Sequence, residues 1–349
     1  MNAWYLPGPV ALTQDVRATL ADPPASHRDA PFLELMSRTR TALSSLANAS
    51  HVVLMVGTGT LANDAVAAQL QYIEGSGLIL SNGEFGGRLI DHARRWNLTF
   101  ATEHQHWGQP FDWTRVRRSA ATRRPRWIWG VLSETSTGVV NPTEEFLRLK
   151  ECVGAELCLD AISAIGLIPV SLKDVRFATA VSGKGLAALP GLAAVFHDGR
   201  LAPSRQIPRY LDLAEYQAAD SVPFTHSSNL LAALGQSLAM TRWPEKFERV
   251  RCASRALRAA LRAAGLPPLA AECDSMSGIT TVALPGHVNA EDVATGLSRQ
   301  GFHLAFQSNY LKQRNWLQIC LMGEFDETLL AQLPGALTRQ VASAIPIRD

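Results

Sequence analysis

The chain has 349 residues, of which 47% are hydrophobic and 18% are charged, and its formal net charge at pH 7 is +2. This composition is typical of a folded globular protein and argues against a disordered chain. The near balance of charge favours neither a nucleic-acid partner nor an acidic membrane surface. A chain of this length predicts a large domain accompanied by a smaller one.

The cysteines and the first residues of the chain bear on the cellular compartment of the protein. The five cysteines are scattered, odd in number and free of CxxC pairs, which favours reduced thiols over a disulfide framework or a zinc site. One isolated HxH pair, His104 and His106, does not predict a metal site either. The first residues do not form a signal peptide, and no run approaches the roughly 18 apolar residues of a membrane span. We therefore expect a cytoplasmic protein with no metal and no membrane partner.

Strands and helices alternate along the first two thirds of the chain. Strands are predicted at 51–56, 77–81, 98–102, 127–132, 155–159 and 178–181, with a returning strand at 193–196. Helices are predicted at 13–21, 31–47, 60–73, 87–96 and 143–153, with Thr13 and Thr143 as N-caps. This alternation predicts an α/β fold with a mostly parallel central sheet and helices on both faces.

The remaining third predicts a smaller α+β domain. Residues 199–228 carry three prolines and are predicted to be irregular. The elements expected after them are helices at 229–241, 246–264, 289–300 and 326–344, and strands at 278–284, 303–306 and 316–320. We predict a large cofactor-binding domain at 13–245, and a small domain that combines 1–12 with 246–349.

A glycine-rich turn follows the first strand of the sheet. Residues 57–60 read Gly-Thr-Gly-Thr and lead into a helix, an arrangement whose backbone amides and helix N-terminus attract anions. The turn matches no nucleotide-binding signature. The hydroxyls of Thr58 and Thr60 suit a single terminal phosphate, and the alternative is a purely structural turn.

Lys184 stands between Gly183 and Gly185, with apolar, strand-like runs on either side. Loss of water lowers the pKa of an ammonium group, and a neutral amine can form a Schiff base. Our hypothesis is that Lys184 carries pyridoxal phosphate (PLP); the alternative is a solvated lysine on a hairpin turn. Polar residues after positions 56, 81, 132, 159 and 181 all fall at the carboxyl edge of the predicted sheet. Ligands bind at this edge in such sheets. The agreement of five strand ends favours the cofactor site over the solvated lysine.

Taken in order, the motifs resemble the class V aminotransferases of PLP fold type I. The resemblance is to the branch of alanine–glyoxylate, serine–glyoxylate and 2-aminoethylphosphonate–pyruvate transaminases, and it covers nearly the whole chain. The motifs that carry it are His27-Arg28, Gly57-Thr-Gly-Thr-Leu-Ala, Asn82-Gly-Glu-Phe-Gly-Gly-Arg88, Glu134-Thr-Ser-Thr-Gly138, Asp160-Ala-Ile-Ser163 and Ser182-Gly-Lys184 with Pro190-Gly191-Leu192.

The resemblance implies a role for each matching residue. Lys184 would hold PLP as an internal aldimine and move the proton, and Asp160 would pair with the pyridine nitrogen. The resemblance also implies an obligate homodimer with shared active sites and a small amino substrate. The further cofactor-binding residues that it implies are Phe85 and Ile162 on the ring faces, Thr135 near the ring hydroxyl, Thr58, Gly59, Thr60 and Ser182 at the phosphate, and Thr225 and Ser228 from the partner subunit.

One position departs from the family pattern. Gln318 stands where the family carries the arginine that binds the substrate's carboxylate or phosphonate, and an amide cannot form that charged bidentate contact. Three explanations are open: the substrate lacks an acidic group there, another cation replaces the arginine, or the scaffold runs another PLP reaction, such as a lyase or carbon–carbon bond-forming reaction. A non-catalytic binding protein is a further alternative. The candidate substrate-binding residues are Gly8, Arg28, Gln318 and Arg314, with Lys312 and Arg209 as other candidate cations.

Overall fold

The computed structural model describes residues 2–201 and 203–343. Its strands are β1 (Ala3–Tyr5), β2 (His51–Val56), β3 (Gly77–Ser81), β4 (Phe100–His104), β5 (Trp127–Val131), β6 (Ser133–Glu134), β7 (Val139–Val140), β8 (Glu156–Asp160), β9 (Phe177–Val181), β10 (Leu192–His197), β11 (Ile279–Ala283), β12 (Phe302–Leu304) and β13 (Trp316–Cys320). Its α-helices are α1 (Gln14–Ala18), α2 (Ala30–Ala47), α3 (Gly59–Leu70), α4 (Glu84–Arg95), α5 (Trp113–Arg123), α6 (Thr143–Val153), α7 (Leu213–Ala218), α8 (Ser228–Met240), α9 (Trp243–Ala263), α10 (Ala290–Arg299), α11 (Asn309–Arg314) and α12 (Glu327–Ser343).

The central sheet has seven strands in the order β2-β10-β9-β8-β5-β3-β4. Strand β10 runs antiparallel to both of its neighbours, β2 and β9, and the other pairs are parallel. Every residue of β3 and of β5 is buried, as expected for continuous apolar strands that helices cover on both sides. The predicted α/β fold with a mostly parallel sheet is confirmed.

Hydrophobic cores lie on both faces of this sheet. Leu54 and Met55 are consecutive, fully buried residues of β2, and they belong to different clusters of apolar side chains. Successive side chains of a strand point to opposite faces, so the two clusters sit on opposite sides. The sheet is thus the rigid middle layer that positions the turns at its carboxyl edge.

A further core belongs to the C-terminal part of the chain. Strand β1 pairs in parallel with β12, and β11 pairs antiparallel with β13. The buried apolar residues of this core come from β1 and from the segment between Leu257 and Leu337. The predicted division into 13–245 and 1–12 with 246–349 stays a prediction; Met1 and residues 344–349 lie outside the described residues. In the described part of the chain, no helix has the length and apolar character needed to cross a membrane.

Two predicted boundaries at the carboxyl edge of the sheet are wrong. Strand β4 covers Phe100–His104, two residues later than predicted, because its pairing with β3 begins at Phe100 opposite Gly77. His104 is therefore the last residue of a strand. Helix α4 begins at Glu84, three residues earlier than predicted, and this puts Phe85 in its first turn.

Two further local predictions are also wrong. Residues 199–228 are not wholly irregular, since they contain α7, whose N-cap residue Asp212 accepts a 3.0 Å hydrogen bond from the amide of Ala214. Thr143 is the first residue of α6, and Pro142 occupies the N-cap position without a side-chain hydrogen bond. Thr13 does cap α1, by accepting a bond from the amide of Val16.

Two glycines let the segments that follow β8 and β9 touch through their backbones. A Cβ atom on Gly185 would lie 2.4 Å from the carbonyl oxygen of Ile165, and one on Gly166 would lie 2.4 Å from the carbonyl group of Gly185. Gly166 also has a φ of +83°, a conformation that L side chains rarely adopt. This close contact joins the segment that follows Asp160 to the segment that carries Lys184.

We expect Gly185→Ala to lower the free energy of unfolding by about 1–3 kcal/mol, because the added methyl group overlaps backbone atoms that cannot rotate away. Denaturant unfolding of the purified variant measures this change. Gly286→Ala is the matched control, since a Cβ there meets no atom within 4 Å. Equal stability of the two variants would show that the contact between the two segments is not tight.

Candidate active site

Two connected cavities lie at the carboxyl edge of the sheet. The larger has a volume of about 600 Å³ and the smaller about 190 Å³. Gly59, Phe85, Arg88, Thr135 and Lys184 line both of them. The smaller cavity also contacts Thr60, Asp160 and Ile162, and the larger contacts Gly8 and Thr58. Most of the residues predicted from separate strand ends are therefore brought together here.

The amine of Lys184 lies where the two cavities meet, and the side chain is partly buried. Its Nζ donates a 2.9 Å hydrogen bond to the hydroxyl of Ser163, and it lies 5.3 Å from the centre of the Phe85 ring. Burial lowers the pKa of Lys184, and the nearby carboxylate of Asp160 opposes that effect. The hydroxyl of Thr135 also bonds Ser163, at 2.5 Å. The amine is thus oriented by neutral hydroxyl groups, which suits a neutral nucleophile.

Asp160 ends strand β8 with both carboxylate oxygens engaged. Its Oδ2 accepts a 2.9 Å bond from the side-chain amide of Asn63, and its Oδ1 accepts a 3.0 Å bond from the backbone amide of Ile162. The hydroxyl of Thr179 donates to Asn63 Oδ1 at 3.0 Å, which fixes which end of that amide faces Asp160. Burial raises the pKa of Asp160, and the two donors oppose that effect. Asn63 therefore helps to keep this carboxylate charged.

Phe85 is held in place by a second buried carboxylate, that of Glu134. Its oxygens accept backbone hydrogen bonds from Phe85 at 3.3 Å, from Gly86 at 3.0 Å and from Ser136 at 3.2 Å, and a side-chain bond from Ser136 at 2.5 Å. Burial raises the pKa of Glu134 and these donors counter it. Since Phe85 and Gly86 lie in the first turn of α4, the carboxylate also satisfies amides that a helix leaves unpaired.

The glycine-rich turn forms the other end of the site. Thr58 occupies the N-cap position of α3, but its side chain makes no capping bond, so its hydroxyl is not used by the helix. The first-turn amides of α3 have no acceptor within the helix, and its dipole favours an anion here. A Cβ on Gly59 would lie 2.5 Å from Cδ1 of Ile162, so glycine permits this close approach. The turn has the properties of a phosphate site.

Some predicted cofactor residues lie away from both cavities. Ser182 is buried, and its hydroxyl donates to the carbonyl of Leu189 at 2.5 Å and accepts from the amide of Leu192 at 3.2 Å. This hydroxyl therefore braces the loop after Lys184. Thr225 is exposed, and Ser228 accepts a 2.9 Å bond from the amide of Ala25.

The predicted substrate residues are also separated. Gly8 lines the larger cavity, whereas Arg28 is exposed and lies outside it. The guanidinium of Arg314 lies 3.8 Å from the ring centre of Trp107 and 5.3 Å from that of Trp316. Gln318 is fully buried behind the cavity wall. Of these four residues, the structure places only Gly8 at the cavity surface.

Sequence reasoning assigned no role to several residues that the structure brings to the site. Ser163 and Arg88 lie inside recognised motifs, and only the folded chain shows that they contact the lysine and line the cavities. Asn63 lies three residues after Thr60 on the same helix face, a spacing that points both side chains toward one cavity. That spacing was the one available signal for Asn63. The described residues contain no group of three or more His, Cys, Asp or Glu that could hold a metal ion.

The donor set fits one cofactor. A desolvated lysine amine, a buried carboxylate and a helix N-terminus face a cavity that an aromatic ring also lines, and these are the partners that the aldehyde, ring nitrogen, phosphate and ring of PLP require. The sheet and this edge therefore define the class of PLP-dependent enzymes of fold type I.

Comparison with known proteins narrows this class to a family. The aminotransferase class-V family profile matches residues 17–210. The 42 kDa subunit of a soluble hydrogenase from Anabaena cylindrica is 30% identical over 302 residues, which cover 80% of this chain and 78% of that protein. The 2-aminoethylphosphonate–pyruvate transaminase of Pseudomonas entomophila is 32% identical over 197 residues, 54% of this chain and 53% of that protein.

A solved structure agrees with this assignment. The alanine–glyoxylate aminotransferase of Nostoc sp. superposes with a TM-score of 0.87 at 26% identity, covering 98% of this chain and 96% of that one. The chain belongs to the class V aminotransferase family, and its cofactor is PLP.

We expect Asn63→Leu to weaken PLP binding by the apo-protein about 10- to 100-fold, because a lost bond to a charged group costs about 1.5–3 kcal/mol. Asp160 then loses its Oδ2 donor and holds its negative charge less firmly. Fluorescence or calorimetric titration of the apo-protein with PLP measures the dissociation constant.

Gln69→Leu is the matched control for Asn63→Leu. Gln69 is a buried amide on the same helix, its Nε2 has no hydrogen-bond partner in the described structure, and it lies outside both cavities. A dissociation constant that rises equally in both variants would remove the assigned role of Asn63.

Proposed function

We propose that this protein is an aminotransferase-like enzyme that acts on a small amino compound, with Lys184 as the residue that binds PLP covalently. The observation that carries the proposal is the position of the Lys184 amine, which bonds Ser163 and shares a cavity with the buried carboxylate of Asp160. Its lowered pKa keeps a larger fraction of the amine neutral and nucleophilic than in a solvated lysine. When bound, PLP supplies an electron sink that stabilises negative charge on the substrate carbon.

The other residues position and polarise the cofactor in this proposal. Asp160 would hold a positive charge at the pyridine nitrogen, and its two hydrogen-bond donors oppose the rise in its pKa that burial causes. Phe85 and Ile162 would contact the ring, and the hydroxyl of Thr135 would contact the ring oxygen. Thr58, Gly59 and Thr60 bind the phosphate at the N-terminus of α3. The Lys184 amine, once free, carries the proton to and from the substrate carbon.

A second candidate is a PLP reaction other than transamination, such as a lyase or carbon–carbon bond-forming reaction. Gln318 supports this candidate, because it stands at the position of the family's substrate-binding arginine. The way in which a substrate is held decides which of its bonds breaks, so a changed contact is a route to a changed reaction. A protein that only binds ligands fits less well, because burying a lysine beside a carboxylate costs free energy without serving a binding role.

We also propose a homodimer in which each subunit contributes to the other's phosphate site. Thr225 is exposed and lies outside both cavities of its own chain, which is what a residue that serves a partner subunit requires. Ser228 lies beside it, in the first turn of α8. Sedimentation equilibrium of the native protein tests this arrangement, and a monomer that binds PLP fully would contradict it.

We expect the purified protein, reconstituted with PLP, to show the visible absorption of a cofactor–lysine Schiff base. Reduction with borohydride should then fix the cofactor on Lys184, as peptide mass spectrometry can show. Lys184→Ala should lose the reducible adduct because it removes the only amine that lines both cavities among the described residues.

Arg314→Ala is the control, since Arg314 stacks between two tryptophans outside the cavity wall. Wild-type protein with neither the absorption nor an adduct at Lys184 would refute the proposal. A panel of amino donors separates the two candidate reactions: a transaminase converts the cofactor into its pyridoxamine form, whereas a lyase releases product and retains the original absorption.

A further inference from the structure

The side-chain N–H groups of Gln318 are hydrogen-bonded within the protein, and Gln318 does not line the larger cavity. Its side-chain Nε2 donates to the carbonyl oxygen of Thr135 and, at 3.0 Å, to the hydroxyl of Thr281. These two bonds use both of its N–H groups. Its backbone exchanges hydrogen bonds of 2.9 and 3.0 Å with Ala305, which does line the cavity. A ligand in the cavity therefore meets Ala305, and behind it the N–H groups of Gln318 are occupied while its buried Oε1 has no partner in the described structure.

The wall around Ala305 is apolar. Leu6 and Pro7 come from the N-terminal segment, and β12, α11 and the loop between them supply the rest of the apolar wall. The side chains that a ligand would contact there are Leu6, Pro7, Leu304, Phe306, Tyr310 and Leu311. An unpaired carboxylate placed against such a wall would lose its water without gaining a partner, at a large cost in free energy.

Within a single chain, none of the four cations considered from the sequence replaces the missing arginine. Arg28 and Arg209 are exposed and lie outside the cavity. Lys312 lies 4.0 Å from the carboxylate of Glu291, and Arg314 stacks on tryptophan rings. None of the four lines the cavity, so this wall carries no positive charge from them.

Arg88 and Lys184 are the two cations that line the larger cavity within residues 2–201 and 203–343. Both also line the smaller cavity, so they lie at its cofactor end. Arg88 is further engaged by a 3.0 Å ion pair with Glu84 and by the face of the Phe85 ring, whose centre is 4.8 Å from its guanidinium carbon. The positive charge of the site is thus concentrated where PLP binds and not on the wall of Ala305.

Two neutral polar side chains, Gln307 and Ser308, also line the cavity at this wall. Ser308 lines it, and its buried hydroxyl has no hydrogen-bond partner in the described structure. A buried hydroxyl without a partner costs free energy that a ligand can recover by bonding to it. This hydroxyl suits a neutral oxygen or amide of the ligand.

We infer that the substrate presents an apolar body to the wall formed by Leu304, Phe306 and Tyr310, with no carboxylate or phosphonate next to the reacting carbon. The chemical class is that of primary amines with an aryl or alkyl body, together with the matching aldehydes or ketones. This inference rests on the proposed function and specifies its substrate.

Binding of two matched compounds tests the inference. 2-Phenylethylamine and L-phenylalanine share one skeleton and differ by a carboxylate. The holoenzyme is first reduced with borohydride so that no chemistry follows binding, and each compound is then titrated by calorimetry. We expect 2-phenylethylamine to bind about 10- to 100-fold more tightly, since the carboxylate would be buried without a partner. Equal or tighter binding of L-phenylalanine overturns the inference.

Two variants make the result specific. Phe306→Ala should weaken the binding of 2-phenylethylamine about tenfold by removing apolar contact area, whereas Met240→Ala, an exposed methionine outside the cavity, should not change it. If L-phenylalanine binds more tightly and Arg88→Gln abolishes that preference, Arg88 is the missing clamp and the inference is wrong. Failure of borohydride to fix the cofactor would refute the proposed function, which is a separate outcome.

Discussion

The site depends on one physical constraint, the partial burial of the Lys184 amine among tightly packed backbone segments. Packing produces this state: Gly166 and Gly185 let two loop backbones touch, and Gly8 brings the N-terminal segment against the backbone of Gly183, whose carbonyl oxygen a Cβ there would meet at 3.0 Å. A buried ammonium is unfavourable, so the amine tends toward its neutral, reactive form. Chemical reactivity at this position is therefore a consequence of how closely three backbone segments approach each other.

Two buried carboxylates, Glu134 and Asp160, organise the remainder of the site in the same way. Each would be costly to bury alone, and each is surrounded by protein donors that take the place of water. Glu134 ties the first turn of α4 to the loop that contains Ser136. Asp160 ties β8 to α3 through Asn63. These bonds connect neighbouring strand ends of the sheet. Hydrogen bonds to the buried carboxylates therefore shape the cavity as much as apolar packing does.

Much of this site was accessible from sequence because its residues follow strand ends. Lys184, Asp160 and the turn at Thr58 each end a recognisable apolar strand, and parallel strands bring their carboxyl ends together. The bracing hydroxyl of Ser182 and the donor amide of Asn63 were not accessible in this way, since their partners are set by tertiary approach. The shift of β4 by two residues has a similar origin, because pairing with β3 and not local pattern decides where it begins.

Strand β1 pairs with β12, so that Ala3 lies opposite Phe302, almost a whole chain length away. During synthesis β1 leaves the ribosome well before its partner strand β12 is made. The large sheet can form before that moment, but the wall of Leu6, Pro7 and Leu304 cannot. Contacts between such distant segments form late and slowly. The wall that includes Leu304 is thus completed after the strand ends that line the smaller cavity.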